Sequence, residues 1–152
     1  MNYLKFKLAV ILSLVTVLSC TIFKETVKLP YLIEKKQEMD ATDNPAKRRI
    51  IRDELNNKII EINDLLVKNV TVSTVIDYDY CVIADSEIDG KLVEFYIYSN
   101  DIKTLAKLKK GESVIDVRGE FGKFFTMLDD YYTKIEILNA SIKASTKNGA
   151  NK

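Results

Sequence analysis

The chain predicts a β-rich α+β domain, and three observations carry that prediction. Apolar residues recur at three- and four-residue steps only up to about Leu66, and the period switches to two after Lys68. Several alternating runs follow, separated by Asp/Asn/Gly turn signals. One short helical stretch, Asp101 to Lys109, interrupts them. The composition agrees: 47% hydrophobic and 30% charged residues suffice for one globular core in 152 residues.

Residues 1–19 read as a signal peptide. Lys5 and Lys7 precede an apolar run from Leu8 to Leu18 that leads into Ser19-Cys20. Eleven apolar-rich residues suit a leader's hydrophobic region and rise about half of a ~30 Å hydrocarbon core, so an uncleaved N-terminal anchor and a cleaved soluble protein are the alternatives to a lipid-anchored one. Residues 20–45 then read as a tether, with Pro30, Pro45, a polar stretch from Glu34 to Asn44, and a short ordered piece at Leu29 to Ile33.

Residues 46–67 read as an amphipathic helix. Asn44 caps it, Pro45 suits the first turn, and Ile50, Ile51, Leu55, Ile59, Ile62 and Leu66 form its stripe, most regular over 46–62. The β domain covers 68–142. A long first strand carries Val70, Val72, Ile76, Tyr78, Tyr80 and Val82, with a bulge expected near Thr74-Val75. Asp85 to Gly90 turns the chain. Lys91 to Tyr98 is the next strand, with Val93, Phe95 and Ile97 on one side and Leu92, Glu94, Tyr96 and Tyr98 on the other. Ser99 or Asn100 caps the short helix, which sets Leu105 and Leu108 inward. Ser113 to Glu120 is a further strand, running on toward Leu128, with bends at Gly119 and Gly122. Asp129-Asp130 turns, Tyr131 to Leu138 closes the sheet, and 143–152 is a flexible tail.

The order helix, long bent strand (counted as two), strand, short helix, strand, strand resembles an OB-fold, a small five-stranded barrel with a helix between strands 3 and 4. The passage from Leu105 through Lys109-Lys110-Gly111-Glu112 to Val117-Arg118-Gly119 is similar to that of exported OB-fold domains of the tRNA-anticodon-domain-like group, and Ile135 to Ile142 resembles their last strand. Glu112 stands where that group has Asp. Val17-Leu18-Ser19-Cys20 in turn resembles the lipobox of bacterial lipoproteins, with Leu18 a departure from the preferred small residue. That resemblance implies cleavage before Cys20, acylation of its sulfur with palmitate-like chains, and a domain held outside the cytoplasm in the cell envelope.

Chemistry is sparse. Histidine is absent, which removes the commonest general base and imidazole metal sites. Cys81 reads as a small buried thiol. Asp77 and Asp79 share one side of the expected strand but lack a third ligand, and Asp85, Glu87 and Asp89 with Gly90 read as a hairpin turn and not a calcium loop. No catalytic, metal or cofactor site is expected. Tyr78, Tyr80, Tyr96 and Tyr98 lie in strands that pair in an OB-fold, on the face where such barrels bind ligands, and Lys91, Lys123 and Arg118 supply charge nearby. Without Lys5 and Lys7 the chain has 21 basic and 22 acidic side chains, which argues against a nucleic-acid partner. The expectation is a non-enzymatic envelope binding module, anchored in the membrane by lipid, whose partner is a protein or envelope polymer. The alternative is a structural scaffold that uses the 46–62 helix as an oligomer interface.

Overall fold

A computed structural model of the chain describes residues 24–125 and 131–145. Its element order is β1 (Thr26–Lys28), α1 (Leu29–Asp40), α2 (Pro45–Asn56), β2 (Ile59–Val72), β3 (Tyr80–Ile88), β4 (Lys91–Ser99), α3 (Ile102–Leu105), β5 (Val114–Phe125) and β6 (Thr133–Ala144). The leader, Cys20, the 126–130 turn and the end of the tail lie outside the described residues.

Five strands close a barrel in the order β2-β3-β4-β6-β5, and β5 returns to β2. All barrel pairs are antiparallel except β4 with β6, which run parallel. With α3 between the third and fourth barrel strands, this is an OB-like, β-rich α+β fold. β1 adds a sixth strand, parallel to the first residues of β2.

Alternation sets the core. Ile60, Ile62, Leu65, Val67, Val82, Ala84, Val93, Phe95, Ile97, Ile115, Val117, Ile135 and Ile137 point inward and are almost completely buried. β2 needs two bulges to follow the curve. One lies between Ile62 and Leu65 opposite β5, the other between Val67 and Asn69 opposite β3. Asp64 takes the left-handed conformation at the first, with φ 59°. The bulge expected near Thr74-Val75 is therefore not in a strand at all. Residues 73–79 form the loop that separates β2 from β3.

Those bulges also explain why the sequence reads as a longer helix than exists. α2 stops at Asn56, and Ile59, Ile62 and Leu66 belong to β2. A one-residue insertion in an alternating strand spaces its apolar side chains by three, which mimics a helical stripe. Ile51 and Leu55 do pack on the domain from α2, as the stripe predicts.

The tether is likewise corrected. Residues 29–40 form α1, with Leu29, Leu32 and Ile33 buried in the same core as the barrel. Its fully buried residues lie within its first five positions, and Met39 in the last turn packs, partly buried, on the core. The Lys35 and Lys36 ammoniums lie 5.5 and 5.7 Å from the Tyr31 and Tyr132 rings. The barrel accordingly begins at Ile59 instead of residue 68, and residues 24–56 pack on it.

Smaller boundaries differ too. α3 is a single turn capped by Asp101, whose carboxylate accepts from the Thr104 N–H at 3.2 Å; Ser99 and Asn100 precede the cap. β3 runs to Ile88, and Asp89-Gly90 alone make the hairpin, both at positive φ as a type I′ turn requires. Lys143 and Ala144, expected in the tail, end β6.

Gly119 and Gly122 are both close approaches. A Cβ on Gly119 would lie 2.6 Å from Ile137 Cγ2 and 2.7 Å from the Leu138 carbonyl oxygen. Gly119→Ala should cost about 1–3 kcal/mol by overpacking. Leu32→Ala should cost about 2–5 kcal/mol as a core truncation, whereas a tether residue would cost almost nothing. Urea unfolding followed by circular dichroism measures both.

Candidate functional site: the outer wall of β3, β4 and β6

Residues that alternate with the core line the outside of the barrel. Register places Cys81 beside Tyr98, Ile83 beside Tyr96 and Asp85 beside Glu94 across β3 and β4. It places Glu94 beside Lys134 and Tyr96 beside Glu136 across β4 and β6. Tyr96 and Tyr98 therefore share one outer wall, as their alternation with Phe95 and Ile97 requires.

Tyr78 joins them from the loop, although it is not in a strand. Its ring lies 5.5 Å from that of Tyr98. Its hydroxyl donates to Asn139 Oδ1 at 2.9 Å and accepts from the Asn139 N–H at 3.1 Å. Asn100 holds the same loop: its Nδ2 donates to the Asp77 carbonyl at 3.1 Å, and its Oδ1 accepts from the Asp79 N–H at 2.8 Å. The loop thus lies over Tyr98, which is only 5% exposed, and Cys81 beneath is 3% exposed.

Two other predicted residues fall elsewhere. Tyr80 has the inward parity of Val82 and Ala84, and it packs, half-buried, against the core. Arg118 lies on the β2–β5–β6 side, opposite Glu61 and Ser141, with its guanidinium 3.4 Å from Thr26 Oγ1. The structure gathers Tyr78, Tyr96 and Tyr98 and separates Tyr80 and Arg118 from them.

The wall also contains charge. Glu94 and Glu136 are 8% and 7% exposed despite facing outward. Lys134 Nζ lies 2.9 Å from Glu94 Oε2, Lys123 Nζ lies 3.6 Å from Glu136, and Lys68 Nζ lies 3.0 Å from Asp85. The Lys134 ammonium supplies the countercharge to Glu94, whose carboxyl also meets the Tyr96 and Tyr131 hydroxyls. Carboxylates buried this far are tolerable only with such partners. Glu136 reaches its place because Gly122 has no side chain: a Cβ there would collide with the Glu136 side chain.

Aromatic rings complete the surface. Phe125 stands 5.5 Å from Tyr96, and the Lys134 ammonium lies 5.9 Å from the Tyr96 ring and 5.2 Å from Tyr131. Burial, then the Glu94 charge, raise the Tyr96 and Tyr131 hydroxyl pKa values. Burial pushes Tyr98 up to about 12 and the Cys81 thiol up to about 11. Cys81 is therefore a thiol at neutral pH, not a thiolate nucleophile.

Glu136, Lys134, Phe125 and Tyr131 were not singled out from sequence. The alternation of Lys134 and Glu136 with Ile135 and Ile137 was the available signal; their nearness to Tyr96 needed the parallel pairing of β4 with β6. Asp77 and Asp79 sit in the loop and not along a strand, and among the described residues no three His, Cys, Asp or Glu side chains are grouped to hold a metal.

The fold and wall define an OB-like barrel protein. No protein-family model and no curated protein matches the chain. Among solved structures it is similar to Entamoeba histolytica asparaginyl-tRNA synthetase in complex with asparaginyl-adenylate, at 7% identity and a TM-score of 0.36. That likeness covers 62% of this chain and 23% of the synthetase chain.

Both raised pKa values belong to groups kept neutral by folding, so the folded state binds protons more tightly than the unfolded one. Their contribution is complete below the ordinary values of 9.0 and 10.0 and is lost as pH rises toward about 11 and about 12. Urea titrations should show stability falling over that alkaline window. Tyr98→Phe should make the upper part of the fall shallower.

Proposed function

We propose that this protein is a lipid-anchored, non-enzymatic binding module of the bacterial cell envelope, attached through Cys20, whose ligand face is the outer wall around Tyr96. The single observation that carries the ligand face is the wall itself. Half-exposed Tyr96, flanked by Phe125, Lys134 and Tyr131, lies between the 73–79 loop and the start of β6. In OB barrels the corresponding strands and loops are the side used for ligands.

Tyr78 and Tyr98 back this surface, and Tyr96 presents the ring. The partner is a protein or an envelope polymer such as a glycan, which tyrosine meets with a flat face and a hydroxyl. The acid–base pairing of Lys68, Lys123 and Lys134 supports that choice over nucleic acid, since each lysine already faces a carboxylate. The absence of histidine and the un-ionised Cys81 support a non-enzymatic role. The anchor rests on the charged, apolar leader that ends at Ser19-Cys20. Among the described residues no helix is long and apolar enough to cross a membrane.

Palmitate supplied to growing cells should label the wild-type chain and not Cys20→Ala; label in the variant removes the anchor from this reading. A photo-crosslinking residue at position 96 should capture a partner in intact cells, while one at 118 should not. Tyr96→Ala should weaken binding of the captured partner by about 2 kcal/mol, roughly thirtyfold. Equal capture at 96 and 118 overturns the face assignment.

A further inference from the structure

α2 carries a second surface that the ligand wall does not use. Arg48, Arg49 and Arg52 line one exposed stretch of the helix together with Pro45 and Asp53. Arg52 also borders a shallow depression with Met39, Phe121, Lys123 and Phe124.

The two helices together carry six basic and five acidic residues, and three of the acids are paired away from the arginines. Glu54 accepts from the Tyr31 hydroxyl and pairs with Lys35, Glu38 pairs with Lys35 and Lys47, and Asp40 pairs with Lys36. Among the described residues Arg48 meets only the Thr42 carbonyl, at 2.7 Å from Nε, and Arg52 has no carboxylate partner. Arg49 is 3.7 Å from Asp53, and both are largely exposed. The flank is therefore uncompensated at Arg48 and Arg52.

Its position follows from where the proposed anchor enters the fold. Lys24 is pinned to Glu120 at 2.7 Å, and the Ile59 N–H donates to the Glu25 carbonyl at 2.9 Å. From Glu120, β5 leads in four residues, about 13 Å, to Phe124 at the Arg52 depression. Because residues 26–40 are β1 and α1, four peptide steps separate Cys20 from Lys24, a reach of at most about 14 Å. An anchor there keeps the barrel within reach of the bilayer, and the arginine helix ends at Asn56, three residues before the Ile59 that bonds the entering chain at Glu25.

We infer that the Arg48–Arg49–Arg52 flank of α2 docks on anionic phospholipid headgroups of the membrane that holds the Cys20 anchor, which orients the barrel. This rests on the acylation of Cys20. Each uncompensated arginine favours an anionic over a neutral surface about fivefold, so Arg48 and Arg52 together give about 25-fold.

The test uses the acylated chain recovered from membranes, with a fluorophore on Asn56→Cys, an exposed position on the arginine flank. A second preparation carries it on Lys107→Cys, beyond α3. Each is reconstituted into phosphatidylcholine vesicles with or without phosphatidylglycerol, and quenching by headgroup spin-labelled lipid is read. Phosphatidylglycerol should raise quenching at 56 several-fold and leave 107 unchanged, and Arg48→Gln with Arg52→Gln should abolish the rise. Equal quenching in both lipids, or a rise that survives the double variant, overturns the docking and leaves the anchor standing. A DNA oligonucleotide that releases the 56 label as readily as it binds the chain without vesicles makes the flank a nucleic-acid surface and overturns it too. Mass spectrometry of the same preparation checks Cys20, and an unacylated cysteine overturns the anchor and the docking together.

Discussion

Closure of the barrel through β2 is the constraint on which the rest depends. This strand pairs with β5 along its first half and with β3 along its second, so it must curve from one neighbour to the other. The bulge at Asp64 makes that bend possible, and side chains hold it. The Asp116 carboxylate accepts from the Asp64 N–H at 3.0 Å, and Ser145 Oγ donates to Asp64 Oδ1 at 2.9 Å. On the far side Gly119 lets β6 lie close against β5. Closure removes the exposed strand edges that a curved open sheet would present, and it encloses an interior filled by branched aliphatics and Phe95.

The same backbone alternation that fills the interior builds the outer wall. Every inward residue of β4 commits its neighbour to the outside, so Phe95 and Ile97 fix Glu94, Tyr96 and Tyr98 there. The parallel β6 then brings Lys134 and Glu136 alongside. A buried carboxylate is costly, and here that cost is offset by an ion pair within the wall. The clipped 73–79 loop closes over Tyr98, which leaves Tyr96 as the accessible ring.

Particular residues show how far the sequence could be read. The β4 alternation from Lys91 to Tyr98 was legible because nothing interrupts its period; the turn was read over Asp85 to Gly90, four residues too long, because the polar residues of β3 look like turn residues. β2 was not, since its bulges turn a period of two into spacings of three. α1 was missed beyond Ile33 because its later residues are mostly charged, with Met39 the one apolar residue among them that packs on the core. At the site, Tyr96 and Tyr98 were placed on one face correctly. Tyr80 went astray because the first strand was run unbroken from 70 to 82 across what is a loop.

What the sequence by itself determined is the β-rich α+β class, the shared side of Tyr96 and Tyr98 on β4, and a turn somewhere within Asp85 to Gly90. These depend on interactions a few residues apart, which a linear pattern records. Tertiary structure alone decided that residues 29–40 pack as a helix, that Tyr78 covers Tyr98, and that Arg118 stands apart from the tyrosines. Those outcomes depend on partners 20 to 96 positions away along the chain, and on which edge of each strand finds its neighbour when the barrel closes.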